Sequence, residues 1–332
     1  MNNIVIINDA SFEPHHGSKM VMRNIRKLLK LNGIKIICSN PVGRDWNKNK
    51  IKQKILSSDV VIINGEGTLH HSQQRAIELI RIVKFCKDNK IKVVLINSTF
   101  EKNNNEIIDL SRELDLVFVR ESYSKNELLK EGINSIVVPD LTFYLNPKFS
   151  NSKKLYYSYT DSVKKQLSKE LYESYLNCPG KKLFLPPLKL VSYKKSYNIF
   201  IKDHLKFYII KLLLIFKLEL PYEMVRYNHF ISNTNKYLKR INDSKLLFTG
   251  RFHSLCFSIL TKTPFLCLKS NSYKIEGLLT DINMSHRLVD NPKMTARNFD
   301  FTNEEIVLLE NYVDDGRKKI EYMFRTIAEY IK

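Results

Sequence analysis

The first half of the chain repeats one alternation: a short run of mostly β-branched apolar residues, then a stretch with helical spacing. "NNIVIIN" precedes "GSKMVMRNIRKLLKLNG", which ends at Gly33 as a C-cap; "IKIICSN" precedes "NKIKQKILSS", and "DVVIING" precedes "SQQRAIELIRIVKFCKDNK". "IKVVLINSTF" is followed by "NEIIDLSRELD", "LVFVRES" by "SKNELLKEG", and "SIVVPDLTF" closes the series as a last strand. Strands that read as unbroken apolar runs are buried on both faces, and helices flanking a parallel sheet bury strands in that way. The pattern predicts a doubly wound α/β domain over residues 1–145.

A chain of 332 residues exceeds one average domain. "NPKFSNSKK", residues 146–154, is rich in Pro, Ser and Asn and reads as a linker. Beyond it, "KLYYSYT", "KKLFLPPL", "LLFTG" and "PFLCLKS" restart the strand-helix rhythm more loosely, which predicts a second α/β domain over residues 151–302. Residues 303–332 read as one long helix that crosses back over the first domain. "HLKFYIIKLLLIFKLEL", residues 204–220, breaks the rhythm: it is apolar, with Lys206, Lys211 and Lys217 set into it. It is too short and too charged to span a bilayer. The expectation is a helix packed on its own domain, with a peripheral membrane contact as the alternative.

With 43% hydrophobic residues the chain can bury a core. Its 54 basic against 34 acidic residues give a formal +20, which suits an anionic partner. The abundance of Lys, Asn and Ile is also what a compositional bias produces, and no basic-aromatic recognition signature accompanies the charge, so nucleic acid is not expected. The five cysteines are widely spaced without a C-x-x-C, and the N-terminus lacks a basic segment ahead of Asp9. A reduced cytoplasmic protein is expected, at most touching the inner face of the membrane.

In open α/β sheets ligands bind beyond the carboxyl ends of the strands, where helix N-termini favour anions. Four stretches fall there. In "LLFTGRFHSLCFSIL", residues 246–260, Gly250 makes the turn and Arg251 and His253 enter the helix, so the pair reads as the floor of an anion pocket. The alternative is a surface arginine and a satisfied core histidine. In "IINGEGTLHHS", residues 62–72, Gly65 and Gly67 suit close backbone approach, and Glu66 suits proton transfer. The third glycine of a dinucleotide fingerprint is missing. Adjacent His70 and His71 are expected to point apart, and no metal site is expected. "NDASFEPHHGS" supplies Asp9, His15 and His16 after the first strand. Arg120 ends a buried strand and needs a partner, either Asp140 or an anionic ligand.

In order, "NGEGT", "VRESYSKNELL", "VPDLTF" and "GRFHSLCFSILTKTPFLCLKSNSYKIEGLL" resemble the motifs of the polysaccharide pyruvyl transferase family. The resemblance implies two Rossmann-like domains in a GT-B-like arrangement with the site in the cleft between them. It implies transfer from phosphoenolpyruvate, with no other cofactor, onto two hydroxyls of a sugar in a cell-surface polysaccharide or a lipid-linked precursor, forming a ketal. Donor binding then falls to Arg120, Arg251, His253, Lys274 and the turn at Gly250. His253 would be the general acid, and Glu66 or Asp9 would deprotonate the attacking hydroxyl. His15, His16, Gly65, Gly67, Thr68 and His70 would lie on the acceptor side. The chain departs from the family there, with "EPHHGS" and "GEG" replacing a Gly-Asp loop and a triple-glycine turn. A glycosyltransferase using a CMP-linked acidic sugar is therefore the alternative, and a non-enzymatic polyanion- or membrane-binding scaffold is a third.

Overall fold

The computed structural model describes residues 2–145, 147, 154–190, 196–216, 218, 220–292 and 299–332. In the first half, β1 (Asn3–Asp9), β2 (Lys35–Pro41), β3 (Val60–Asn64), β4 (Lys92–Ser98), β5 (Leu116–Val119) and β6 (Ile136–Val137) form one sheet. All pairings are parallel, in the order β2-β1-β3-β4-β5-β6. Ile4 and Ile6 of β1 lie level with Val60 and Ile62 of β3, and these four join the core that holds Met20, Ile25 and Leu28 of helix His16–Leu31. Their neighbours Val5, Ile7, Val61 and Ile63 join a second core with Leu79, Ile80 and Val83 on the other face. Apolar residues are needed at every position because both faces are covered.

The second sheet contains β7 (Tyr156–Ser162), β8 (Lys182–Phe184), β9 (Ser244–Gly250) and β10 (Phe265–Cys267), again all parallel, in the order β10-β9-β7-β8. The chain thus has the mixed α/β architecture expected of it, with two parallel Rossmann-like sheets. In each sheet the winding reverses once. The chain leaves β1 for β2 and returns to place β3 on the other side of β1; likewise β8 and β9 flank β7. Each reversal opens a crevice at the carboxyl ends, β1/β3 in one sheet and β7/β9 in the other, where ligands bind in such folds.

Two expectations change. "SIVVPDLTF" is a strand only over Ile136–Val137. Pro139 has no N–H for a ladder, and the Asp140 carboxylate accepts from the Thr142 N–H (3.0 Å) and hydroxyl (2.7 Å), winding Leu141–Tyr144 into a 3-10 turn. The segment expected to pack on its own domain forms helix Tyr197–Ile215 and buries Ile210 alone, among the described residues, while much of its apolar surface faces solvent. The stretch read as a linker lies outside the described residues except for Pro147 and Lys154. Among the described residues no helix is long and apolar enough to cross a membrane.

Helix Asn303–Ile331 ties the two sheets together. Its start carries a capping box between Thr302 and Glu305, and Glu305 also accepts from Arg287 Nε (2.8 Å) and Nη2 (2.6 Å) beyond β10. At its far end the Tyr330 hydroxyl donates to Asp115 Oδ1 (3.0 Å), and Lys92 Nζ of β4 donates to the Tyr330 carbonyl (2.5 Å).

Close packing at the end of β3 rests on one missing side chain: a Cβ on Gly65 would lie 2.5 Å from Ser98 Cβ on β4. Gly65→Ala is expected to destabilise the fold by about 1–3 kcal/mol in urea titrations. Ser98→Gly in the same chain should recover part of that loss, and strictly additive effects of the two substitutions would show that the contact is not the cause.

Candidate active site

The two sheets meet through the N-termini of two helices. Gly17, in the first turn of helix His16–Leu31, abuts His253 in the first turn of helix Phe252–Leu260 so closely that a Cβ would lie 2.1 Å from the imidazole. His15 caps its helix by accepting the Gly17 N–H at Nδ1 (3.1 Å), and its ring lies 5.2 Å from that of His253. Burial first, then the neighbouring His253, Arg251, His16 and Lys274, hold His15 well below the usual histidine range, which keeps it a neutral acceptor. The same loop pairs with the second half of the chain: His16 N–H donates to Pro187 O (3.0 Å) and Lys189 N–H to Pro14 O (3.1 Å).

His253 occupies the centre. Its Nε2 lies 3.6 Å from Glu66 Oε1 and 3.6 Å from Asp140 Oδ2, charge contacts beyond hydrogen-bond length. Among the described residues, neither His253 Nε2 nor Glu66 Oε2, both buried, has a hydrogen-bond partner. Ser18 donates to Glu66 Oε1 at 2.6 Å and fixes that carboxylate. Burial alone would raise Asp140, but the His253 imidazole, the Arg120 guanidinium and the Thr142 N–H outweigh it and hold the carboxyl well below its usual range.

The cations are compensated, which corrects the expectation of an anion pocket floored by free positive charge. Arg251 gives Nε (2.8 Å) and Nη2 (2.5 Å) to the two oxygens of Asp161 at the end of β7. That fork leaves Nη1 as its uncommitted edge among the described residues. Burial pulls the guanidinium pKa down, and Asp161 more than restores it. Arg120 takes Asp140 (Nη1, 3.2 Å) and Thr99 Oγ1 (Nε, 2.8 Å) and stacks 4.3 Å above the Phe252 ring, so of its two expected partners Asp140 is the one in place. Lys274 differs: its Nζ donates to the neutral Asn271 side chain (2.7 Å). Burial, Arg120 and Arg251 lower it to about 7, against the pull of Glu66 and Glu101.

Several expected site residues have structural employment. Asp9 accepts from Arg26 Nη2 (2.5 Å), the Ser11 N–H (2.9 Å) and the Ser39 hydroxyl, so it anchors its loop and is not free to act as a base. His16 stacks on Tyr237 (4.6 Å) and meets Thr234 Oγ1 at Nδ1 (3.0 Å), sealing the interface; burial, then Lys189, lowers it to about 4. Gly65 and Gly250 leave room for the serines of neighbouring strands, Ser98 and Ser162, and not for a ligand. Gly67 adopts φ +65°, which the turn requires. The Thr68 hydroxyl donates to Glu66 O (3.0 Å) and accepts from Asn8 Nδ2 (3.2 Å), bracing that turn. His70 and His71 do not point apart: left-handed φ at His71 (55°) folds the pair so that their Nδ1 atoms lie 3.1 Å apart. Burial, then Lys274, lowers His70 to about 4.

Two carboxylates escaped the sequence reading. Asp161 sits at the carboxyl end of β7, the placement that singled out Glu66, and could have been found by the same rule. Glu101 accepts the Tyr273 N–H (2.7 Å) ahead of helix Lys274–Asp281, a contact between residues 172 positions apart that no local pattern signals.

The unfolded chain holds the Lys274 proton up to its ordinary pKa of 10.5, whereas the folded site releases it near 7. Between those values the unfolded state binds more protons, so folding stability gains from rising pH, by up to about 1.4 kcal/mol per pH unit. Urea titrations should therefore show the stability of the parent rising relative to Lys274→Met from pH 7 towards pH 10. Parallel profiles would show that Lys274 is charged in the fold at neutral pH.

The overall shape is similar to HepE from Anabaena in complex with UDP and glucose, at 11% identity over 99% of this chain and 95% of that one, with a TM-score of 0.49. It is also similar to UDP-GlcNAc 2-epimerase of Methanocaldococcus jannaschii in complex with UDP-GlcNAc and UDP, at 13% identity over 97% and 99% of the two chains, with a TM-score of 0.48. None of the curated proteins compared matches the sequence. The polysaccharide pyruvyl transferase family model matches residues 15–272, a span that runs from the His15 cap through Glu66, Arg120, Asp140, Arg251 and His253. The chain belongs to the polysaccharide pyruvyl transferase family and is a transferase.

Proposed function

We propose that the protein transfers a pyruvyl group from phosphoenolpyruvate to two hydroxyls of a sugar in a polysaccharide or its precursor. The observation that carries this reading is His253 Nε2, buried between Glu66 and Asp140 where two helix N-termini converge and, among the described residues, without a hydrogen-bond partner. An imidazole held between two carboxylates can deliver a proton. In the proposed reaction His253 protonates the methylene carbon of the enol, leaving an oxocarbenium-like centre at the carbon bearing phosphate. One sugar hydroxyl adds to that centre and loses its proton to Glu66. The second hydroxyl attacks the same carbon and gives its proton to the now neutral His253, the C–O bond to phosphate breaks, and the ketal closes as inorganic phosphate leaves.

The donor carries a carboxylate and a phosphate. The free Nη1 edge of Arg251, the Lys274 amine and the helix starts at His16 and Phe252 are the groups that suit them. Asp140 stays ionised beside the imidazole, while Ser18 orients the base. Asp9, committed to Arg26, has no part in the scheme.

Phosphoenolpyruvate at 100 times its dissociation constant should stabilise the fold by about 2.7 kcal/mol in thermal-shift assays. CMP should leave it unchanged; a shift with CMP alone would instead favour sugar transfer from a nucleotide. His253→Gln and Glu66→Gln should each lower phosphate release by at least about 100-fold. Their melting should stay near that of the parent, and full turnover in either variant would remove the assigned acid or base.

A further inference from the structure

Helix Tyr197–Ile215 is apolar on two sides, and among the described residues only one of them is covered. Ile210 is buried, Phe207 and Leu214 are half-buried, and this side packs on the segment Tyr222–His229. On the opposite side Ile201, Leu205, Tyr208, Leu212 and Ile215 recur every three or four residues and continue into Phe216. Leu205 is 59% exposed, Tyr208 65%, Leu212 55%, Ile215 74% and Phe216 68%. At 3.6 residues per turn these side chains form one stripe along the helix. Exposed Lys202 and Lys206 line one flank of the stripe, and exposed Lys211 lines the other. The helix's acidic residue, Asp203, is half-buried on the inward side.

We propose that this stripe docks the protein on an anionic lipid bilayer. An apolar face between rows of lysine suits the boundary between acyl chains and headgroups, with the ammonium groups reaching outward to lipid phosphates. Charge complementarity selects that occupant. The whole chain carries a formal +20, and a second copy laid on the stripe would set lysine rows against each other. The helix lies flat on the surface and does not span it. Its first turn, at Ser196 and Ile199, borders a cavity of about 650 Å³ whose other walls include Phe12, Arg44 and Arg75. Docking sets that cavity beside the headgroups, within reach of an acceptor held in the membrane.

The test is co-sedimentation of the full chain with phosphatidylcholine vesicles, with and without phosphatidylglycerol, at low and high salt. It does not depend on the identity of the donor. The parent should bind anionic vesicles at least about tenfold more tightly than neutral ones, and salt should erase the difference. Leu205→Glu/Leu212→Glu should cut binding at least about tenfold at both compositions. Lys202→Glu/Lys206→Glu should lose the anionic preference by about tenfold. Circular dichroism should show parental melting for both variants, since the changed side chains are exposed. A parent that stays in the supernatant with anionic vesicles would overturn the proposal, as would leucine variants that bind undiminished. It would also fail if gel filtration showed a dimer that Leu205→Glu/Leu212→Glu converts to a monomer, because a second copy would then occupy the stripe.

Discussion

The contact between Gly17 and His253 is the constraint on which the rest of the site depends. Only a residue without a Cβ lets the first turn of helix His16–Leu31 come this near to the first turn of helix Phe252–Leu260. The approach brings two helix N-termini together, each carrying about half a positive charge. Unopposed, that would drive the two halves apart. Glu66 and Asp140 supply the opposing charge, each 3.6 Å from the imidazole between them. Backbone hydrogen bonds between residues 14–16 and 187–189 add to the side-chain anchors of the loop.

Around this node the buried charges are matched almost one for one. Removing one partner of a buried ion pair strands the other, at a cost of about 3–5 kcal/mol, so Arg120–Asp140 and Arg251–Asp161 are strongly tied. Lys274 is the exception, with an amide for its partner and a proton that it gives up near neutrality. An anion entering the cleft favours the charged form of such a lysine. The site is thus balanced as it stands, with one group poised to gain charge beside an anion.

The topology explains why these residues converge. Glu66 follows β3 at one reversal of winding, and Arg251 follows β9 at the other, facing Asp161 from β7. Two strand ends depart from regular pairing: Asn8 of β1, at the reversal, and Asn97 of β4, away from it, adopt left-handed φ of 65° and 55°, and the register slips beside each of them. Asparagine tolerates that conformation better than most residues.

By itself the sequence determined the strands, the helices and their parallel winding, because alternating short β-branched runs and amphipathic stretches have few other ways to bury their apolar faces. It also marked Glu66, Arg120, Arg251 and His253, since charged residues at the ends of apolar strands stand out locally. What only the tertiary structure decided is how those charges are spent. Asp161 lies 90 residues from Arg251, and a pairing across such a distance leaves no periodic trace; for Arg120 the sequence offered Asp140 or an anionic ligand, and the fold puts Asp140 in place. Asp9 looked like a base until Arg26, a full helical stretch away, was seen to hold it. The helix after Ser196 taught the same lesson in reverse: its composition reads as core, and which of its two apolar sides finds a partner depends on what the fold places beside it.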